Sequence, residues 1–408
     1  MSYELLSKLY YKDRALFEQT YLQRKNSPYA TSLGMDIHGH EAFYVNLPEF
    51  VLTTARLYKK LSAIDKLCAE LPQVAYESYA KNCLIDEIIL SNDMEGVRST
   101  RKDILCILDS EQAAPKKRRF DGMVWKYVLL LDRTQSYRVS LKNSQDVRAL
   151  YDEIVLDEIA PADYPDGEIF RRELAEVVSG TQQVKHRGVQ PEERIIAYMD
   201  KTLQILKRAD IPRLYQIAVI HYMIGYIHPF YDGNGRLSRF ISSYLLKEEF
   251  NVLIALRLSY AIKEHKSDYY KTFDICNDPH NMGDLTCFLQ YFARVIEQAE
   301  DGLLERLRSG KDMLDTYRKY LWRKYQKPEP GERKKTSEVL WYLIQNMLFG
   351  SEGLDRQTLA ALLQTSHVTV QNYMQNLIST GAPIHICKEG RKFTYRLERS
   401  ELEQFLDM

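Results

Sequence analysis

The stretch Pro212–Ile227 constrains this chain most. Leu214, Ile217, Val219, Ile220, Met223, Ile224 and Ile227 leave a helix there apolar almost all round, and such a helix must lie at the centre of a domain, covered on every side. Pro212 suits a first helical turn, and His228-Pro229 ends the helix because the residue before a proline is pushed out of helical geometry. Asp232-Gly-Asn-Gly235 then turns the chain into a second helix. A mainly α fold follows, with a glycine-rich turn at the end of its central helix.

That turn has the makings of a reaction site. A glycine-rich turn feeding a helix N-terminus aims several backbone N–H groups and the positive end of the helix dipole at one spot, which suits phosphate. Arg236 and Arg239 lie three apart in the first turn, on one face, where two guanidinium forks can grip neighbouring phosphate oxygens. Asp232 offers a hard oxygen for Mg²⁺, which typically binds one or two carboxylates plus substrate phosphates and water. His228, at the rim, can take a proton near neutral pH. Base, cation ligand and phosphate clamp together describe attack of an alcohol on a phosphorus of a nucleoside triphosphate. Singly, each feature has an ordinary structural role as turn former, solvated arginine or helix cap; their fixed spacing within twelve residues favours the chemical one.

At 408 residues the chain exceeds one ordinary domain. Its 45% apolar and 27% charged composition is that of a folded chain. Lysine plus arginine equals aspartate plus glutamate at 56 each, so no global field draws it to nucleic acid or to an anionic membrane. The N-terminus lacks a basic-then-apolar signal layout, and no run of about 18 apolar residues exists to span a bilayer. A cytoplasmic chain without a membrane partner is expected. Cys68, Cys83, Cys106, Cys276, Cys287 and Cys387 show no ligand spacing and read as reduced, with none a metal ligand or nucleophile. His221 and His228, seven apart with no further His or carboxylate partner, do not make a zinc site, which leaves His221 structural. The Lys116–Arg119 run reads as a solvated loop.

The organisation reads as five segments. Residues 1–78 form an N-terminal helical region, including a periodic stretch Leu52–Leu67, and 79–97 a further helix. Residues 98–310 are the core, with helical patterns at 142–158, 168–178, 192–207, 212–227, 236–250 and 284–306. Within it Ser179–Glu193 reads as a loop or hairpin. Residues 311–335 are helix and linker, the linker being Lys327–Lys335. In 336–408, helical stretches Ser337–Met347, Arg356–Leu363 and Val368–Ile378 precede strands alternating around Glu389-Gly390, the spacing of a winged helix-turn-helix.

HPFYDGNGRLSR (228–239) resembles the Fic-family motif HxFx[D/E]GNGRxxR at every specified position, and the similarity extends over roughly residues 80 to 310. The resemblance implies a Fic helical core with a β-hairpin flap at Ser179–Glu193, and transfer of AMP from ATP to a Ser, Thr or Tyr hydroxyl of a target protein. It implies His228 as base, Asp232 on Mg²⁺, Asn234 with the amides of Gly233 and Gly235 on the α- and β-phosphates, Arg236 on the β-phosphate, Arg239 on the γ-phosphate and Phe230 as the loop's buried anchor. SDYYKTFDICND (267–278) is similar to the family's adenine pocket, where Tyr270 and Asn277 serve either adenine contact or core packing. SNDMEG (91–96) resembles the inhibitory motif [S/T]xxxE[G/N], which implies that Ser91 and Glu95 reach the ATP site and that Glu95 pairs with Arg239; the same Glu95 could instead position water to remove AMP. Self-modification and a homodimer are further expectations. An alternative reading is a DNA-binding transcription regulator whose Fic core senses nucleotide. Its recognition helix, Ser366–Ser379, contains no Arg or Lys, and residues 334–408 carry as many acidic as basic side chains, so dimerisation or target recruitment fits that domain as well as DNA does.

Overall fold

The computed structural model describes residues 3–110, 118–132, 138–178, 184–325, 332–389 and 392–408. Parts of the Lys116–Arg119 run, of the Ser179–Glu193 segment, of the Lys327–Lys335 linker and of the turn at Gly390 lie outside the described residues. Contacts divide the chain into two compact units, one of residues 1–61 and 84–301, the other of residues 62–83 and 302–408.

The first unit is built around the helix Arg213–Ile227, in which every residue except Arg213 and Gly225 is buried. The helix Asn234–Glu249 lies against it. Ser238 Oγ donates to His221 O at 3.2 Å, and His221 Nδ1 meets Ser242 Oγ at 2.8 Å. Both bonds come from one face of the second helix, at four-residue spacing. The helices Ser144–Ile154, Glu192–Gln204, Leu258–Glu264 and Lys266–Cys276 belong to the same unit.

Two departures from the sequence expectations concern β-structure. Strands Ala30–Ile37 and His40–Val45 pair antiparallel in what was read as helices and loops. Leu33, Met35 and Ile37 alternate inward, and His38 and Gly39 both take positive φ, as a two-residue hairpin turn requires. The second departure is at 168–178, read as a helix. Its first half is irregular backbone and Glu176–Val178 is a strand, paired with Val184–Arg187. The helix loses because Glu192 supplies other partners: its carboxylate accepts from the N–H groups of Glu168, Ile169 and Phe170 at 3.0, 2.7 and 2.9 Å. The hairpin expected within Ser179–Glu193 thus starts three residues earlier than that segment.

The second unit contains the helix Glu332–Phe349, a short strand Leu354–Asp355, the helices Arg356–Leu362 and His367–Ser379, and strands Ile384–Glu389 and Lys392–Leu397. Asp355 and Ser366 cap the two short helices through Thr358 N and Thr369 N. Val370, Met374 and Leu377 form the buried stripe of the last one. The three strands order with Lys392–Leu397 in the middle. Cys106, Cys276, Cys287 and Cys387 are free, and no helix among the described residues is long and apolar enough to cross a membrane.

Candidate active site

The loop between the two central helices is fixed from three sides. His228 ends the first helix in left-handed geometry, φ 52° and ψ 60°. Such a conformation is costly for a histidine and needs support from its surroundings. Arg171 provides it: its buried guanidinium donates to His228 O at 2.8 Å, Val189 O at 2.9 Å, Ile227 O at 3.3 Å and Glu173 O at 2.6 Å. One arginine thus ties the helix end to the chain just before and just after the paired strands Glu176–Val178 and Val184–Arg187. Gly188 is required there, since a side chain on it would collide with Arg171 and press on His228 Cβ.

From below, Phe230 is fully buried and stacks on Tyr151, ring centroids 3.6 Å apart and 7° from parallel. Tyr151 also donates to Asp232 O at 3.2 Å. Asn234 closes the turn on itself, with Oδ1 accepting from Phe230 N at 3.0 Å and Nδ2 donating to Phe230 O at 2.8 Å. Its side chain is therefore committed to the loop, and what it presents outward is backbone. Gly233 takes φ 81° directly over Val155 and Tyr151, a position that suits only glycine.

The two arginines differ. Arg239 is buried and points toward the helix Gln73–Met94: Nε donates to Ser91 Oγ at 2.9 Å, Nη2 to Ser91 O at 2.7 Å, and Nη1 lies 2.8 Å from Glu95 Oε1. Glu95 also stands over Gly235, where a methyl group would strike its carboxylate. A carboxylate thus occupies the anion-attracting first turn of the helix Asn234–Glu249. Arg236 turns inward, donating from Nη1 to Glu158 Oε2 at 2.9 Å, with both side chains almost wholly buried. Burial raises the Glu158 carboxyl to about 7, against the pull of Arg236 and Arg119.

His228 lies at the rim between loop and flap. Burial above all, then the charges of His186 and Arg171, lowers its imidazole to about 4, which keeps it neutral near pH 7. The Asp232 side chain is half-exposed; Oδ1 accepts from Gly233 N at 2.5 Å. No group of three or more His, Cys, Asp or Glu side chains among the described residues could hold a metal ion. Asp232 fits a cation that takes one protein carboxylate and draws its other oxygens from phosphates and water. Tyr270 is partly exposed and sits within the fields of Glu95 and Arg239. Asn277 Oδ1 accepts from the buried Tyr222 hydroxyl at 2.6 Å, a core contact.

The structure thus brings Ser91, Glu95, Arg239, Gly235 and Tyr270 together and turns Arg236 away from them. Glu158, Arg171 and Tyr151 lie outside the 228–239 motif and complete the site from beneath and beside it. Tyr151, Val155, Glu158 and Ile159 follow a helical i, i+4, i+7, i+8 spacing beneath the loop, a signal that was available; Arg171 was hidden in a segment read as helix.

Residues 141–246 match the family described as "Fic/DOC family", so the chain carries a Fic domain. Over 237 residues it is 26% identical to "Protein adenylyltransferase Fic" of Nematostella vectensis, which covers 55% of this chain and 49% of that protein. Over 256 residues it is 27% identical to the protein of the same name from Culex quinquefasciatus, covering 60% and 46%. The chain spans about half the length of the curated relatives it matches. Among solved structures, a Fic family protein from Desulfovibrio desulfuricans aligns at 16% identity and TM-score 0.49 over 87% of this chain and 98% of that one. Fic-1 from C. elegans aligns at 19% identity and TM-score 0.41 over 63% and 74%.

Proposed function

We propose that the Fic domain transfers AMP from ATP to a hydroxyl of a protein substrate, and that Glu95 holds it at rest. The observation that carries this reading is the Glu95 carboxylate standing at the helix N-terminus on Arg239. An anion is already bound where a triphosphate would put its terminal charge, so ATP and Glu95 compete for one guanidinium.

In this mechanism His228, neutral at working pH, takes the proton of the incoming hydroxyl. The hydroxyl oxygen bonds to the α-phosphorus as the bond to the β-phosphate oxygen breaks, and diphosphate leaves. Asp232 would hold Mg²⁺, which supplies charge neutralisation on the phosphates when bound. The first amides of the helix Asn234–Glu249 receive the phosphate oxygens. Glu176–Val178 and Val184–Arg187 form a short two-stranded flap beside His228, whose free edge suits an extended target segment. Removal of AMP by water placed through Glu95 is the companion reaction, and its test is loss of label from modified protein on adding the wild-type chain, which keeps Glu95.

The test incubates the Glu95→Gly protein, and the same protein carrying His228→Ala, with ATP labelled at the α- or the γ-phosphate in cell lysate. Protein labelling from the α position alone, lost with His228, is expected. Labelling from the γ position, or labelling that survives His228→Ala, overturns the reading.

A further inference from the structure

We propose that Glu158 is a positioning residue for Asp232: by holding the Arg236 guanidinium to itself, it leaves the Asp232 carboxylate free to bind a divalent cation. The inference deepens the AMP-transfer reading and rests on it.

Asp232 and Arg236 are four residues apart across the turn into a helix, a spacing at which an acid and an arginine ordinarily close on each other. Here they do not. Arg236 Nη2 stays 3.8 Å from Asp232 Oδ2, beyond hydrogen-bond reach, while Nη1 lies 2.9 Å from Glu158 Oε2. The contest is settled by burial. The Arg236 and Glu158 side chains are 1% and 2% exposed and Asp232 is 49% exposed, so the inner pair attracts through a low dielectric and the outer carboxylate through water.

The inner pair is not perfectly satisfied. Glu158 Oε1 and Arg236 Nε are both buried and without a hydrogen-bond partner among the described residues. An ion pair tolerated in that state is held by its surroundings rather than by its own bonds. Glu158 ends the short turn Leu156–Glu158, which follows the helix whose Tyr151 stacks under Phe230 and bonds Asp232 O. The same platform that seats the loop therefore delivers the carboxylate that occupies Arg236.

Among the described residues Asp232 is the one other carboxylate within 4 Å of Arg236. Without Glu158 as its partner, the guanidinium has about 1 Å to travel to close on Asp232, and the cation loses its single protein carboxylate.

The test uses Mn²⁺ as probe on the full chain carrying Glu95→Gly, with an ATP analogue that cannot release diphosphate, reading free Mn²⁺ by electron paramagnetic resonance. Adding Glu158→Gln is expected to weaken Mn²⁺ binding by about tenfold or more, as loss of a residue behind a metal ligand does. Adding Arg236→Met to that variant is expected to restore it, because the competitor for Asp232 is gone; Glu158→Asp, which keeps the charge, is expected to bind close to the parent. Unchanged affinity in Glu158→Gln, or no recovery in the double variant, overturns the proposal. A parent protein whose Mn²⁺ site does not depend on Asp232 overturns the cation–nucleotide reading itself, an outcome distinct from a parent that binds and a Glu158 variant that binds equally well.

Discussion

Arg239 and Arg236 stand one helical turn apart, yet one reaches into the site and the other under it, and the difference lies in which carboxylate each meets. Glu95 meets Arg239 from across the site, and Glu158 meets Arg236 from beneath the loop. His228 is tuned by the same neighbourhood. With its imidazole at about 4, the base remains unprotonated at pH 6. In the Glu95→Gly enzyme the acidic limb of kcat/KM assigned to His228 should therefore fall below about pH 6, under the ordinary histidine value of ~6.5. Arg171→Met removes a positive neighbour and should move that limb toward higher pH, as a pH–rate profile would show. His221 makes a second pH prediction. Burial above all lowers it to about 3, and its two nitrogens meet Ser242 Oγ and Tyr269 OH. Between about pH 6.5 and pH 3 the unfolded chain binds a proton the folded one refuses, so stability falls with falling pH by up to roughly 1.4 kcal/mol per unit. Denaturant titrations at pH 7 and pH 5 should show this slope and show it flattened in His221→Gln.

The central helices, their connecting turn and the helices of the second unit could be read directly, because apolar periodicity, proline and glycine act locally and the turn's residues lie within twelve positions. The first hairpin was less legible because its turn is His38-Gly39 rather than the usual Asn-Gly, although Leu33, Met35 and Ile37 already alternate. The segment 168–175 was not legible at all. Its apolar spacing permits a helix, and what denies it one is the carboxylate of Glu192, some twenty residues onward. Glu192→Ala should leave three amides without that acceptor and lower stability by about 1–3 kcal/mol, measured by thermal or denaturant unfolding. The inward turn of Arg236 is the same kind of failure: the turn's spacing places two arginines on one face, and only Glu158, seventy-eight residues earlier, separates them.

At the scale of the whole molecule, the chain joins a Fic domain to a unit whose helix His367–Ser379 presents His367, Gln371, Asn372 and Gln375 outward and no basic side chain. Phosphate contact supplies most of the affinity of proteins for DNA. The full chain should therefore bind duplex fragments no more tightly than about 10⁻⁴–10⁻⁶ M at physiological salt, the non-specific range, which fluorescence anisotropy can measure; tight, sequence-dependent binding would favour a regulator. The helix Gln73–Met94 counts its residues 73–83 with that second unit and the rest with the first, which also holds Glu95. The most direct measurement is the initial rate of protein labelling from α-labelled ATP by the wild-type chain, by Glu95→Gly and by Glu95→Gly with Arg239→Ala. The prediction is a rise of at least about tenfold on removing Glu95, equivalent to roughly 1.4 kcal/mol, and its loss when Arg239 is removed too. Equal rates for wild type and Glu95→Gly would contradict it.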